Sequence, residues 1–471
     1  MYKLGYATFV DALFDDLQPI TMRGHNIQPF SHLRRLCQKV NILNSGKQRL
    51  RLISQGLTSH SFAVGSFVIP LVFSREENIT MEKECLYGLI EQQKEYLYEM
   101  ADQIHDNPEY DGKEYIAATL LENYLEKNGF VVESGLGDWP TAFRAVHRQG
   151  EGGIRIGLLC EYDALKGIGH GCGHHMQGPC ICGVAVALKK ASLNKRFTLI
   201  VYGTPAEETR GAKINLLEDG YFRDIDVALM MHGGTDTYVD ERSMAMSYYC
   251  VNFYGISSHA SRSPEQGRSA LDALLLAFNG VEYLREHVRD DVRMHYTISE
   301  LPGAANVVPA HAFGEFSLRS YSRKALDDVC VRFEKIIQGA ALMADVTYDI
   351  KKVKEIDSKI PCYRLNKIVM DNAIVCNAPG ISHARNNTGS TDFGNVASNL
   401  PSSCIYVKFV PSGTHDHSQA FVDAGKSKDG HDAILYGAKI LVGTCWDLIS
   451  NYDIKKELLE DFEKTKCEVM Y

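Results

Sequence analysis

Five short segments of this chain concentrate residue types that handle metals, protons or carboxylates. The first is Cys160-Glu-Tyr-Asp163-Ala-Leu, followed by Gly169-His170-Gly-Cys172-Gly-His174-His175. Cys172 and His174 lie two apart in a glycine-rich stretch, so both side chains can turn toward one point. Thiolate and imidazole are good ligands for borderline transition metals. Alone, the segment reads equally well as a polar turn. The second segment is Gly203-Thr-Pro-Ala-Glu207-Glu208-Thr. Adjacent carboxylates are usually a solvated pair. Beside a metal they divide two tasks, one as ligand and one as proton acceptor for an activated water. The third is Met230-Met231-His232-Gly-Gly, and a lone histidine is more often structural than metal-bound. The fourth is Gly255-Ile-Ser-Ser-His259-Ala, accompanied by Gly303-Ala-Ala-Asn306-Val-Val-Pro309-Ala and Arg319. The fifth is Gly389-Ser-Thr-Asp392-Phe-Gly394, then Gly413-Thr-His415-Asp-His417-Ser. At least one of His415 and His417 is placed to reach a metal from the C-terminal side.

The elements around these segments weigh against coincidence. Apolar strands are predicted at 154–160, 198–202 and 227–231, and each of the first three segments follows one of them. Ligands in open α/β sheets bind beyond the carboxyl ends of the strands. Helical spacing at 84–105, 113–128, 184–190 and 212–219 alternates with these strands, which predicts an α/β layer with a mostly parallel sheet and helices on both faces. Residues 246–350 change character. Strands at 247–254, 293–299 and 311–319 flank long helical patterns at 265–288 and 322–343, a β-α-β-β-α-β order that fits a small α+β domain. Helices at 363–376 and 430–449 around a strand at 403–409 return to the first domain, so the small one is an insertion.

The expected division is residues 1–80 as an unassigned extension, 81–245 and 354–471 as the two parts of a catalytic domain, and 246–353 as the insert. At 471 residues, two domains are the natural expectation. The formal charge of −9 argues against nucleic acid as the main partner. That charge is uneven: residues 1–75 hold nine Lys and Arg against three Asp, so this stretch is +6 and the remainder −15. The longest apolar run, 62–73, contains Gly and Pro and falls short of the roughly 20 residues that span a bilayer. Acid-poor and containing Arg and Ser, the first 80 residues faintly resemble an organelle transit peptide; the favoured reading is that Met81 is the natural start. The 13 cysteines form no CxxC pair, as expected of reduced thiols in a cytoplasmic protein.

Taken in order, the Cys-Gly-His loop, Gly-Thr-Pro-Ala-Glu-Glu, Ser-His-Ala and Asn-Val-Val-Pro-Ala resemble the aminoacylase-like, co-catalytic metallopeptidase and amidohydrolase family. The nearest likeness is to its branch of p-aminobenzoyl-glutamate hydrolase and dipeptidase-like proteins, over about residues 81–450. The resemblance implies a catalytic domain with two divalent metals, Zn or Mn, and an inserted lid that mediates homodimerisation. It assigns Cys172, His174, Glu208, His232 and His417 as metal ligands and Glu207 as catalytic base. Asp163 takes the place of an aspartate that orients a metal-bound histidine two residues before it; here that earlier position is Glu161. His175 and Lys166 also depart from the family's commoner residues. His417 is preferred to His415 because Ser-Gln-Ala-Phe-Val-Asp-Ala-Gly follows it. His259 is implied as an oxyanion donor reaching the site from a partner subunit, and Asn306 and Arg319 as groups for a substrate carboxylate.

The implied activity is hydrolysis of a small amide: a dipeptide, an N-acyl amino acid or a p-aminobenzoyl-glutamate-like compound. A binding or regulatory protein that keeps the fold without catalysis is the alternative, against which stands the retention of both Glu207 and Glu208. Redox chemistry at Cys172 is a further reading, unsupported by any nucleotide-binding Gly-x-Gly-x-x-Gly.

Overall fold

The computed structural model describes residues 58–64, 67–73 and 75–470, apart from Asp240, Leu301, Pro302 and Asn387. The expectations for residues 1–57 lie outside the described residues. Strands β1 (Thr58–Val64) and β2 (Phe67–Phe73) form an antiparallel pair with Val64 opposite Phe67, in a unit distinct from the one that follows.

The second unit opens with α1 (Arg75–Glu91), α2 (Lys94–Asp106) and α3 (Tyr115–Lys127), then the hairpin β3 (Val131–Leu136) and β4 (Trp139–Gln149). The alternating part is β5 (Ile154–Cys160), α4 (Gln177–Lys190), β6 (Phe197–Gly203), α5 (Ala212–Glu218), β7 (Val227–Gly234) and β8 (Tyr238–Val239). The insert runs β9 (Ala245–Tyr254), α6 (Ala270–Arg285), β10 (Arg293–Ile298), β11 (His311–Ser320), α7 (Arg323–Ala344) and β12 (Thr347–Ile356). The chain returns through α8 (Tyr363–Val375), α9 (Phe393–Ala397), β13 (Ser402–Lys408), α10 (Gln419–Ala424), α11 (Lys428–Ser450) and α12 (Ile454–Met470).

The large sheet has the order β3-β4-β6-β5-β7-β13-β8. Its four middle strands are parallel, with antiparallel β3, β4 and β8 at the edges. Side chains of a strand alternate between faces, and both faces here are apolar. Leu199, Val201, Leu229 and Met231 enter one core with α4 and α11, while Ile200, Tyr202, Ala228 and Met230 enter another with α5 and α9. Each fully buried large apolar side chain contributes about 1.5–3 kcal/mol. Continuous burial from Gln177 to Leu188 makes α4 the central helix. A Cβ at Gly183 would stand 2.8 Å from Leu97 Cδ1, so glycine there lets α4 approach α2. Helix α11 is, among the described residues, the one helix long and apolar enough to cross a membrane, and it is mostly buried within the fold.

The insert is an antiparallel sheet of order β10-β11-β9-β12. Strict alternation along β11 turns Ala312, Phe316 and Leu318 toward α6 and α7 and leaves Phe313, Glu315, Ser317 and Arg319 on the helix-free face. Serine caps start both helices: Ser269 Oγ accepts from Asp272 N, and Ser322 Oγ from Ala325 N.

Three expectations about elements change. The helix expected over 84–105 is two helices, α1 and α2, and α1 crosses the expected boundary at residue 80. The break falls at Gln93, a buried amide that donates to Leu89 O and accepts from Tyr124 Oη at 2.6 Å. Strand β12 runs on to Ile356, past the boundary expected at 353, because the lysines at 351, 352 and 354 hide an exposed edge strand. Hairpin β3–β4 and helix α12 had no predicted counterpart.

Candidate active site

The four parallel strands end on one side of the sheet, and each delivers chemistry there. Glu161 and Asp163 follow β5. Glu207 and Glu208 follow β6, His232 lies near the end of β7, and His417 is on the loop after β13. Thr204 clasps two of these ends by donating through N and Oγ to Cys160 O at 2.9 and 3.0 Å. The Cys172 loop enters from the same side. Gly173 has φ +80 and stands between Cys172 and His174, a left-handed conformation that L side chains rarely adopt. This turn sets both neighbours toward one point and leads into α4.

Metal-capable atoms converge in overlapping groups, each with its members within 4.8 Å of one another. Cys172, His174 and His232 form one; Cys172, Glu208 and His417 form a second; His174, Glu207 and Glu208 join them. Cys172 belongs to two of these groups, so it would be available to either of two ions. The donor set of thiolate, three imidazoles and a carboxylate suits Zn or a similar ion. Two further observations fit a cation. Glu208 Oε1 is buried without a hydrogen-bond donor, 3.5 Å from His417 Nε2. His174 Nδ1 faces Asp163 Oδ1 and O, at 3.1 and 3.2 Å. Both are acceptors, so Nδ1 carries a proton, and Nε2 would be the atom that binds an ion, on losing the proton that Cys172 and Glu161 favour there.

Asp163 acts on both loops, since its Oδ2 accepts from Glu208 N at 2.9 Å. Cys172 Sγ is 3.6 Å from His232 Nε2. The His232 ring stacks on Tyr406 at 4.7 Å, and Tyr406 on Tyr238 at 4.9 Å. His417 N donates to Gly171 O at 3.0 Å, which joins the C-terminal loop to the Cys172 loop. His415 is in none of these groups.

A fourth group, Glu161, Glu207 and Asp392, lies behind the first three. Lys213 is fully buried there and donates to Glu161 Oε1 at 2.7 Å and Asp392 Oδ1 at 2.6 Å. Gln177 Nε2 donates to Glu161 Oε2 at 2.8 Å, and the same oxygen is 3.3 Å from His174 Nε2. Burial works against the charged form of Glu161, yet Lys213 and His174 hold its carboxyl well below the usual range. The neighbouring glutamates are driven apart. Burial, with Glu161, Glu208 and Asp392 nearby, pushes Glu207 up to about 8. Glu208 is also buried, but His417 and His174 hold it down to about 2. One carboxyl can thus exchange a proton near neutral pH while its neighbour stays an anionic ligand.

Behind the Cys172 loop, His105, His170 and His175 pack with ring centroids 4.8–6.0 Å apart. Their Nε2 atoms donate to Val422 O, Ile104 O and Gly425 O at 3.0, 3.1 and 3.1 Å. His175 thus ties the ligand loop to the C-terminal segment.

The insert residues are placed differently. Among the described residues, His259 Nδ1 hydrogen-bonds only with Ser261, at 3.2 Å to its Oγ, and the His259 backbone bridges to Val307, next to Asn306. Arg319 donates to Ser317 Oγ at 3.3 Å. Among the described residues, no hydrogen bond or ion pair connects His259, Asn306 or Arg319 to the cluster. Sequence reasoning gave no role to Lys213 or Gln177 and left Asp392 unassigned. A lysine in the short apolar helix α5, just after Gly211, was the available signal.

A two-domain α/β fold with metal-capable groups at the ends of its parallel strands, beside a carboxyl poised to take a proton, defines a metal-dependent hydrolase. The chain belongs to Peptidase family M20/M25/M40, whose model matches residues 155–446. It is 30% identical over 399 residues to the Xaa-Arg dipeptidase of Homo sapiens, covering 79% of this chain and 90% of that protein. It is 35% identical over 293 residues to one of the p-aminobenzoyl-glutamate hydrolase subunits of Escherichia coli (strain K12), covering 58% of this chain and 60% of that one. In structure it is similar to a dinuclear metal-binding peptidase of the M20 family from Bacillus subtilis, with TM-score 0.58 and 17% identity over 76% of this chain and 99% of that one.

Proposed function

We propose that this enzyme cleaves the amide bond of a small substrate made of an acyl or aminoacyl group joined to one amino acid, a dipeptide or a p-aminobenzoyl-glutamate-like compound. The names of the two relatives support this class, since each describes an amide to a single amino acid that keeps its carboxylate. The observation that carries the mechanism is the setting of Glu207, between the ligand group of His174 and Glu208 and the buried group of Glu161 and Asp392.

Cys172, His174 and His232 would hold one divalent ion, and Cys172, Glu208 and His417 a second, either Zn or Mn. Such ions, when bound, polarise a carbonyl and bring the pKa of a water from 15.7 toward about 7. Glu207 takes the proton of the attacking water and returns it to the leaving amine nitrogen. Asp163 holds His174 and the Glu208 amide in place during both transfers. Arg319 is part-buried and has no carboxylate partner among the described residues, which suits it to the substrate carboxylate; Asn306, on the separate loop that carries Val307, is the second group assigned to that carboxylate. His259 is assigned to the oxyanion, supplied across a homodimer made through the lid. Twelve free cysteines among the described residues support a reducing compartment, the cytoplasm.

Glu207→Gln is the test. Hydrolysis of a panel of dipeptides, N-acyl amino acids and p-aminobenzoyl-glutamate should fall on the order of a thousandfold, at the upper end for lost acid–base help and more where the same carboxyl serves twice. Bound metal, read by elemental analysis, should stay at the wild-type level. Activity within tenfold of wild type would remove Glu207 from its role.

A further inference from the structure

One contact joins the insert directly to the loop of the base. Lys354, on β12, donates from Nζ to the main-chain oxygen of Glu207 at 2.8 Å. From it we infer that Lys354 is a positioning residue, which fixes the Glu207 loop to the root of the lid and so sets where the base stands.

The local geometry is arranged for this contact. Along β9 and β12, Lys352 is opposite Tyr249 and Lys354 opposite Tyr248, with an irregularity between them where Val353 is extra. Tyr249 belongs to the core beneath α6 and α7, whereas Tyr248 is on the open face. Without the extra residue, Val353 would take the place opposite Tyr248. The bulge therefore turns Lys354, and not its neighbour, toward the catalytic domain, a recognised use of bulges beside active sites. The side chain then runs over Gly211, where an added Cβ would stand 3.1 Å from both Lys354 Cε and Asp392 Cβ. Gly211, with φ +74, provides the passage a larger residue would close.

The receiving loop needs an anchor. Ala206, immediately before Glu207, has φ +59, a costly conformation for a residue with a side chain. Gly211 N and Thr209 N donate back to Ala206 O, closing a tight turn, while Glu207 O projects out of it to Lys354. The ammonium also stands near the buried carboxyls of Glu207 and Asp392, and its charge favours their ionised forms. Lys354 is two residues from the end of β12, where the chain leaves the lid at Ile356. A contact at this root fixes the base relative to the point where the insert rejoins the catalytic domain.

The inference rests on Glu207 as the base, and its test separates the two claims. Lys354→Met keeps the length and removes the donor and charge; Lys354→Arg restores both. Two measurements are made on metal-loaded full-length protein: amide hydrogen exchange over residues 204–212, which needs no turnover, and steady-state hydrolysis with metal content. In Lys354→Met, exchange in that segment should accelerate about tenfold or more, and kcat should fall about 10- to 100-fold, the scale of a catalytic group misplaced by an ångström. KM should stay within about threefold, metal content should not change, and Lys354→Arg should recover most of both losses. Unchanged exchange, or a kcat loss that only follows lost metal, overturns the tether. A wild-type chain that loads metal yet hydrolyses no amide overturns the reading of Glu207, and the tether's catalytic meaning with it. Active wild type with an equally active Lys354→Met overturns the tether alone.

Discussion

The two halves of the metal-capable centre share Cys172 and differ in almost everything else. The inner half is built on core elements: His174 opens the turn into α4 and is 1% exposed, and His232 lies in β7 with its ring stacked on Tyr406. The outer half is built on loops. Glu208 follows the strained Ala206, and His417 is 51% exposed with its own φ at +59. Rigid elements fix ligands precisely enough to hold an ion; loops open at low cost and exchange it. The difference predicts that an ion held inside would be retained and one held outside would exchange.

Removing the shared ligand should do most damage. Cys172→Ala takes a donor from both halves, so both ions should be lost and hydrolysis should fall about a thousandfold or more, the rate equivalent of several kcal/mol of charge stabilisation. Elemental analysis after dialysis checks the count; a variant that keeps one ion would show that the halves do not depend on Cys172 in common. The single-half variants then test the asymmetry. His417→Ala should keep close to one ion per chain, while His232→Ala should lose the inner ion and, on dialysis, the loosely held outer one. Each should cost about 100-fold in kcat. Equal retention by the two variants would cancel the distinction between core-held and loop-held ligands.

The same contrast governs what the sequence made legible. Strand ends announce themselves by apolar runs, so the positions of Cys172, His174, Glu208 and His232 could be argued before any coordinates. The order of the small domain followed likewise from periodicity. Lys213 could not be read this way. Its burial depends on Glu161 and Asp392, 52 and 179 residues away in the chain, and lysine is otherwise a surface residue. Glu161 first stood out as a missing histidine; only the packing shows a carboxylate held by Lys213 and Gln177 beside His174. Lys354 was hidden for another reason. A bulge of one residue reverses which side chain faces the active site, and no alternation pattern in a lysine-rich edge strand marks it. His259, Asn306 and Arg319 were legible as motif residues, but their separation from the cluster within one chain was not.

Burial near Asp163 should also carry a measurable cost. Glu114, fully buried at the start of α3, accepts from Gly112 N at 2.8 Å and Thr141 Oγ at 3.1 Å. Burial, with Asp163 nearby, pushes its carboxyl up to about 7. A carboxyl raised on folding stabilises the fold below its unfolded pKa of about 4.5, and that contribution is lost as pH rises through the folded value. At pH 8 the folded chain must hold Glu114 charged in a site that prefers it neutral, at a cost on the order of 3 kcal/mol at most. Glutamine keeps an acceptor for one donor, and the Thr141 hydroxyl can turn to accept from its amide. Glu114→Gln should therefore melt a few degrees above wild type at pH 8 and at nearly the same temperature at pH 4.5. Thermal unfolding of the metal-free protein at the two pH values measures this. A stabilisation that is independent of pH would place its origin in packing and not in the buried charge of Glu114.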